Sequence, residues 1–103
     1  MYKIIYLPIA RQDITEIVLY ISGQLKAPQA AVQLLDAIDH SISLLAEFPY
    51  SHKLFHPIRP LDEEYRMLPV KNYVVFFVVR EQPKIIEIQR ILYSRMDISN
   101  LIK

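Results

Sequence analysis

Residues 73–79, Tyr-Val-Val-Phe-Phe-Val-Val, are seven consecutive apolar or aromatic residues, nearly all of them β-branched or aromatic. Such residues favour strands, and the lack of alternation with polar residues indicates that both faces of the strand are covered. Burial of one large aliphatic or aromatic side chain contributes about 1.5–3 kcal/mol, so this segment supplies on the order of 10 kcal/mol before chain entropy is subtracted. We therefore predict a central strand here, with the other elements arranged around it.

The composition predicts one compact domain spanning residues 1–103, because the chain is 52% hydrophobic and contains a single Gly. It has no Cys, which excludes disulfides and thiolate metal sites. The apolar run at the N-terminus soon meets Pro8, Arg11 and Asp13, and no stretch approaches the 18 or so apolar residues of a membrane span. We expect a cytoplasmic protein that has no membrane association and no cofactor.

Charge is divided unevenly along the chain. Residues 12–50 contain one basic and five acidic residues, a balance of −4, whereas residues 51–103 contain nine basic and six acidic residues, a balance of +3. An anionic partner, either nucleic acid or an acidic protein, is therefore expected to contact the C-terminal half and not the middle of the chain. A solvated surface with chance asymmetry is the alternative interpretation of the same numbers.

The first half of the chain predicts a strand and a pair of helices. Residues 2–7 form the strand, and Pro8 suits the first turn of a helix over about 9–25. Lys26-Ala27-Pro28 interrupts this helix, and a second one continues to Phe48-Pro49. Apolar residues recur in both helices at spacings of three and four, which indicates an antiparallel hairpin packed on the sheet through one face: Ile14, Ile17, Val18, Ile21 and Leu25, then Ala31, Leu34, Leu35, Ile38, Ile42 and Leu45. We expect the charged residues to lie mainly outside: Asp13, Glu16, Asp36, Asp39 and His40.

The segment 49–62 contains three prolines and no periodicity, so we predict a long loop. His52 and His56 lie four residues apart, a spacing that suits a metal only on a helix. Because Pro57 and Pro60 argue against a helix, we expect no metal site.

Three further strands and a short helix complete the predicted order β-α-α-β-β-β-α, an α+β fold with a mainly antiparallel sheet. The strands cover residues 64–70, 73–79 and 84–93, with turns at Lys71-Asn72 and 80–83. Arg90 lies two residues after Ile88, so in a regular strand its side chain would be on the same apolar face as Ile86 and Ile88. It must therefore bulge out, extend to solvent or meet an acidic partner. The position of the first strand in the sheet stays open.

Several motifs occur in an order and spacing that resemble one family. They are Ala10, Asp13, Ile14, Ile17 and Tyr20-Ile21 in the first helix; Pro28 with Ala30-Ala31; Leu45 with Phe48-Pro49; residues 65–73, Tyr-Arg-Met-Leu-Pro-Val-Lys-Asn-Tyr; and residues 88–97, Ile-Gln-Arg-Ile-Leu-Tyr-Ser-Arg-Met-Asp. Over nearly its whole length the chain resembles the RelE/ParE superfamily of toxins from type II toxin–antitoxin modules.

The resemblance implies a growth inhibitor that is neutralised by an antitoxin, with two candidate activities. Some relatives are ribosome-dependent mRNA endoribonucleases, and in such a metal-independent enzyme the candidate catalytic residues are Arg66, Tyr93 and Arg95, with His52 and His56 as further proton carriers. ParE-like relatives bind DNA gyrase instead. Val74 stands where several RNA-cleaving relatives have arginine, and an apolar residue near Leu101 stands where some have a catalytic Tyr or His, which favours the ParE-like branch.

The resemblance also implies a contact surface for the target and for an acidic antitoxin. Its candidate residues are Lys71, Arg90, Arg95, Ile98 and Leu101, in the basic half of the chain. Any contact with DNA is expected to be indirect, through the antitoxin. An inactive toxin-like protein that only binds an antitoxin is a third hypothesis.

Overall fold

The computed structural model describes residues 1–55 and 63–95, and these form the predicted α+β fold. The elements are β1 (Lys3–Tyr6), α1 (Pro8–Leu19) with a π-helical extension (Tyr20–Gln24), α2 (Pro28–Leu45), β2 (Arg66–Val70), β3 (Tyr73–Arg80) and β4 (Ile85–Tyr93). The predicted C-terminal helix lies outside the described residues. Among the described helices, none is long and apolar enough to cross a membrane.

The four strands form one sheet in the order β1-β4-β3-β2. β3 pairs antiparallel with both β2 and β4, whereas β1 pairs parallel with β4. The sheet is therefore mainly antiparallel, and β1 is an edge strand next to the last strand. The central position of β3 confirms the prediction made from its uninterrupted apolar sequence.

β3 is covered on both faces, as predicted. Val75 and Phe77 belong to the main core between the sheet and the helices, while Phe76 and Val78 belong to a second, smaller core on the opposite face. The side chains of Val75, Phe76 and Phe77 are completely inaccessible to solvent. Phe55 packs against this second core from the described part of the loop, with its ring edge-to-face against Phe76 at 5.2 Å between centroids.

The helical hairpin begins where the sequence predicts, because Pro8 and Pro28 each occupy the first turn of a helix. The predicted single helix over 9–25 is wrong in its last turns, which widen into the π-helix. Leu25 and Leu35, predicted on the buried face, are 55% and 39% exposed. Leu25 follows the π-helix, whose wider turn displaces it from the α-helical stripe.

Asp13 was predicted to lie outside, and this prediction is wrong: it is the only buried charged residue in the described part of the chain. Its carboxylate pairs with Arg90. The sequence predicts that Arg90 bulges out, extends to solvent or meets an acidic partner, and the structure combines the first and the last of these. Phe76 pairs with Arg90 and Phe77 with Ile88, so Gln89 is an extra residue in a β-bulge. The bulge lies beside α1, and Arg90 there meets an acidic partner.

Two turns depend on lysines with positive φ. Lys71 in the β2–β3 turn has φ 53°, so it is Lys71, and not Asn72, that takes the left-handed conformation. Lys84 has φ 52°, which explains why β4 begins at Ile85 and not at the predicted residue 84.

Candidate functional site

An open groove lies between the helical hairpin and the end of the sheet that carries the β2–β3 turn. It has a volume of about 840 Å³ and is lined mainly by apolar and aromatic side chains. The helical side consists of the end of α1, the π-helix and the start of α2, and the sheet side consists of residues 71–73 and 90–93. We call this surface the tyrosine groove, after Tyr20, Tyr73 and Tyr93.

Three tyrosines give the groove an amphipathic wall. Tyr73 and Tyr93 face each other across β3 and β4, with their rings edge-to-face at 5.6 Å between centroids. Tyr20 is 49% exposed and Tyr93 is 39% exposed. Burial raises the pKa of Tyr73, and the neighbouring phenols of Tyr93 and Tyr20 add to the rise. Large, partly exposed rings with a polar end are typical of protein interfaces.

Asp13 also lines the groove, and it fixes α1 to the bulge of β4. Its carboxylate accepts hydrogen bonds from Arg90 Nε at 2.8 Å, Arg90 Nη2 at 3.0 Å and the Ile91 backbone N–H at 3.0 Å. The hydrogen bond that Arg90 donates to Asp13 raises the pKa of the Arg90 guanidinium, although partial burial opposes this rise. A bidentate ion pair with a third hydrogen bond from a backbone N–H is a strong interaction at a partly buried position. The pair thus forms a fixed, largely buried floor of the groove.

The rim of the groove carries two of the predicted contact cations. Lys71 and Arg95 are exposed in turns, and these turns are joined by a hydrogen bond from Ser94 N–H to the Asn72 carbonyl at 2.9 Å. Lys71 and the predicted residues Arg90 and Tyr93 line the groove itself. Ile98 and Leu101 lie outside the described residues. Sequence reasoning missed Tyr20 and Leu25, for which the only signal was large apolar side chains beside the helix break.

The opposite end of the molecule carries a polar cluster that the sequence did not indicate. The phenol groups of Tyr2 and Tyr50 each donate a hydrogen bond to the same oxygen of Glu81, both at 2.7 Å. These bonds, that from Tyr2 first, lower the pKa of the Glu81 carboxyl, and Glu81 raises the pKa of both tyrosines. We call these residues, together with Arg66 and His52, the Glu81 cluster.

Arg66 is held in this cluster by the chain segment after α2. Its guanidinium lies 4.9 Å from the centre of the Tyr50 ring and donates to the His52 carbonyl at 2.9 Å. The His52 imidazole packs edge-to-face on Phe77 at 6.5 Å and contacts Ser51 Oγ at 3.0 Å. His56, the other predicted proton carrier, lies outside the described residues.

The structure does not bring Arg66 together with Tyr93. Arg66 pairs with Phe77, whereas Tyr93 pairs with Tyr73, four residues away along β3. Four residues of strand separate their backbones by about 13 Å. Arg95 follows β4 at the Tyr93 end, so the predicted nuclease residues are divided between the two ends of the sheet.

Metal binding has no candidate in the part of the chain that the structure describes, since no three His, Cys, Asp or Glu side chains converge there. The two ends of the sheet therefore offer different functional groups. The tyrosine groove offers contact area with a cationic rim, and the Glu81 cluster offers phenol, carboxylate, imidazole and guanidinium groups.

Comparison with solved structures identifies the same fold in other bacterial proteins, two of which come from toxin–antitoxin systems. The chain aligns with a protein of the chromosomal ParDE system of P. aeruginosa with a TM-score of 0.69 and 21% identity, covering 90% of this chain and 96% of that one. The RelBE2 toxin–antitoxin complex of Mycobacterium tuberculosis matches with a TM-score of 0.60 and 13% identity over 89% and 96% of the two chains. YafQ of E. coli matches with a TM-score of 0.55 and 14% identity over 90% and 93%.

Sequence comparison is more specific than this structural likeness. No curated protein sequence matches the chain significantly. The family model described as the ParE toxin of the type II toxin–antitoxin system parDE, however, matches residues 4–98, which is nearly the whole chain. The chain therefore belongs to the ParE toxin family, within the RelE/ParE superfamily of type II toxins.

Proposed function

We propose that this toxin inhibits growth by binding a protein target such as DNA gyrase, and that an antitoxin neutralises it by covering the tyrosine groove. Membership of the ParE family supports the choice of target, and the ParDE and RelBE2 neighbours support an antitoxin partner. On this proposal the toxin acts through a contact surface, without proton transfer.

The observation that carries the proposal is the division of the candidate catalytic groups. Cleaving RNA through its own 2′-hydroxyl requires a base, an acid and a cation around one phosphate. Arg66 lies about 13 Å of strand away from Tyr93 and is already bonded to the His52 carbonyl. Val74, at the position where several RNA-cleaving relatives have arginine, belongs to the second core.

The chemistry of the tyrosine groove suits an amphipathic segment of the antitoxin. Its partly exposed tyrosines and Leu25 offer apolar contact, while Lys71 and Arg95 offer positive charge at the rim. We propose that an acidic residue of the antitoxin meets these cations, and that Ile98 and Leu101 extend the contact, as the sequence predicts. Charge at a rim mainly steers association and selects the partner.

Gyrase assays with matched variants test the target. The purified chain is expected to inhibit gyrase supercoiling, and Arg66→Ala is expected to keep most of this inhibition if the variant stays folded. Removal of residues 98–103 is expected to abolish inhibition while the thermal melt stays cooperative. If Arg66→Ala abolishes growth inhibition and the truncation does not, the proposal is wrong.

A second pair of variants tests the antitoxin surface. Lys71→Glu is expected to weaken antitoxin binding roughly tenfold, equivalent to about 1.4 kcal/mol, and to slow association most at low salt. Lys53→Glu, an exposed lysine beside the Glu81 cluster, makes the same charge change at the other end and is the control. Surface plasmon resonance with the immobilised antitoxin measures both; equal effects would contradict the assignment.

One observation keeps a ribosome-dependent mRNA endoribonuclease as the second candidate. In the Glu81 cluster the Arg66 guanidinium lies over the Tyr50 ring and bonds to the backbone of His52, so a cation and a phenol are neighbours and a histidine is adjacent. Primer-extension mapping of transcripts after induction distinguishes the two functions. Codon-specific cleavage that disappears in Arg66→Ala supports the nuclease, whereas growth arrest without cleavage supports the gyrase target.

A further inference from the structure

The outer side of the helical hairpin carries large apolar side chains that are exposed to solvent. Leu19 at the end of α1 is 64% exposed, and Val32 and Leu35 near the start of α2 are 57% and 39% exposed. Only residues 25–27 separate the π-helix from α2, so these parts of the two helices are neighbours in the fold. Covering such side chains removes apolar surface from water and is favourable.

Two carboxylates continue this apolar surface along α2. Asp36 and Asp39 each follow one of its apolar residues by four positions, so each lies one turn further along the same side of the helix. Both are exposed, neither forms an ion pair within residues 1–55 and 63–95, and α2 contains no Lys or Arg. We call these two acids, with Leu19, Val32 and Leu35, the hairpin face.

The tyrosine groove has the complementary chemistry. Its wall is aromatic, with Tyr20 and Tyr93 partly exposed, and its rim carries Lys71 and Arg95 in turns. On the hairpin face, a separation of four residues places the acids about 6 Å along the helix from the apolar side chains. A helix whose apolar residues contact the tyrosines therefore brings its carboxylates towards the cationic rim.

Charge distinguishes the ways in which two copies of the chain could meet. Two hairpin faces brought together would place Asp36 and Asp39 against the same two carboxylates. Two grooves brought together would place Lys71 and Arg95 against the same two cations. Like charges across an interface are unfavourable. A hairpin face against a groove instead brings opposite charges together and covers apolar surface on both copies.

We propose that, in the absence of antitoxin, the hairpin face of one copy of this chain docks in the tyrosine groove of a second copy. The two surfaces differ, so the contact either closes as a two-fold dimer that forms it twice or continues into longer chains. The docked copy occupies the surface that we assign to the antitoxin, so the two compete. This competition rests on the function proposed above, whereas the contact between copies does not depend on it.

A charge swap tests the contact on the full chain purified free of antitoxin. One variant carries Asp36→Lys and Asp39→Lys on the hairpin face, and the other carries Lys71→Glu and Arg95→Glu on the rim. Each variant alone is expected to associate at least tenfold more weakly than the unmodified chain in sedimentation equilibrium, because each opposes like charges. An equimolar mixture is expected to recover most of the association. A mixture that stays monomeric overturns the proposal.

Matched controls separate this contact from an effect of net charge. Glu47→Lys, at an exposed acid just after α2, and Lys53→Glu, at an exposed lysine beside the Glu81 cluster, change the charge by the same amount per residue away from both surfaces. Both are expected to associate like the unmodified chain. Equal weakening by these controls would overturn the proposal. Circular dichroism melts confirm that each variant, altered only at exposed positions, stays folded.

Disulfide trapping identifies which surfaces meet, because the chain has no Cys of its own. Val32→Cys and Tyr93→Cys chains are mixed and oxidised with oxidised glutathione. The mixed disulfide is expected to form at least tenfold faster than that between Glu47→Cys and Tyr93→Cys. Preferential formation of the disulfide between two Val32→Cys copies would show that hairpin faces meet each other, and would overturn the proposal.

The protein encoded by the adjacent reading frame tests the competition. Added in excess to the self-associated chain, it is expected to form a complex in which the copies have separated, as measured by light scattering after size-exclusion chromatography. Binding without separation would overturn the competition and leave the contact between copies standing. A failed charge swap with intact antitoxin binding would overturn the contact and leave the proposed function standing.

Discussion

The two ends of the sheet use polar groups in opposite ways. At the tyrosine groove the strong polar contacts lie underneath, in the pair of Asp13 with Arg90, and the surface above them is aromatic and open. At the Glu81 cluster the polar groups are at the surface and bond to one another, with both phenols on one carboxylate. The groove thus offers apolar surface that is still exposed to solvent, whereas the polar groups of the cluster already bond to one another and hold chain segments in place.

This difference indicates which end is suited to bind. Covering exposed aromatic surface with a partner lowers the free energy of the complex. A fixed floor reduces the conformational entropy that is lost on binding. Arg66, by contrast, must give up the His52 carbonyl and the Tyr50 ring before it can contact a phosphate through the same face. The comparison rests on Asp13 and Arg66 having structural roles of different size, which can be measured.

Asp13→Ala is expected to have the largest effect. It leaves Arg90 without its carboxylate and the Ile91 N–H without its acceptor at a position where Asp13 is only 8% exposed. Removing one partner of a buried ion pair typically costs about 3–5 kcal/mol. Because Arg90 keeps 20% of its side chain exposed, we expect a loss near the lower end, about 3 kcal/mol, in urea denaturation.

Glu16→Ala is the matched control for this prediction. Glu16 is an exposed acid on the same helix whose hydrogen-bond donor is Gln12, at 3.1 Å. We expect its loss to change the free energy of unfolding by less than about 0.5 kcal/mol. If the two variants were equally stable, the groove would have no rigid floor and the contrast with the Glu81 cluster would fail.

Arg66→Ala is expected to have an intermediate effect. It removes a hydrogen bond to the His52 carbonyl and a cation–π contact with Tyr50, which together are worth about 1–2 kcal/mol at a part-buried site. The amides of Phe55 and Met67, which join residues 53–55 to β2, should then exchange faster. Arg95→Ala, at the groove end, should change neither quantity; unchanged exchange in Arg66→Ala would leave Arg66 free for catalysis.

Features that depend on consecutive residues were predicted from the sequence, whereas features that depend on residues far apart in the chain were not. The position of β3 was predictable because its burial on both faces is written into consecutive residues. The burial of Asp13 was not, because its partner is 77 residues away and reaches it only through a bulge at Gln89. In the same way, nothing local connects Tyr2, Tyr50 and Glu81, three surface residues that come together only when the chain is folded.

The two walls of the tyrosine groove differ in the same way. Lys71 and Arg90 were predicted as contact residues and Tyr93 as a nuclease residue, and all three line the groove, because the strands that carry them were predicted well. The opposite wall was missed because it depends on the π-helix over Tyr20–Gln24, which exposes Leu25. A change from 3.6 residues per turn to a wider turn has no reliable signature in a single sequence.

The smallest expected effect is a shift in the titration of Glu81. Its carboxyl pKa is lowered from the ordinary value of 4.5 because Tyr2 and Tyr50 donate to the charged form. Between the lowered pKa and 4.5 the unfolded chain therefore binds more protons, so the stabilisation is present above pH 4.5 and is lost as the pH falls through the lowered pKa.

We expect Tyr2→Phe to raise the carboxyl pKa most, Tyr50→Phe to raise it less, and Tyr93→Phe, at the groove end, to leave it unchanged. Carbon-13 NMR titration of the Glu81 carboxyl measures all three, and because Glu81 is exposed the accompanying change in stability should be slight. A response to Tyr93→Phe would mean that the two ends of the sheet are electrostatically coupled, and the separation on which the assignment of the tyrosine groove depends would no longer hold.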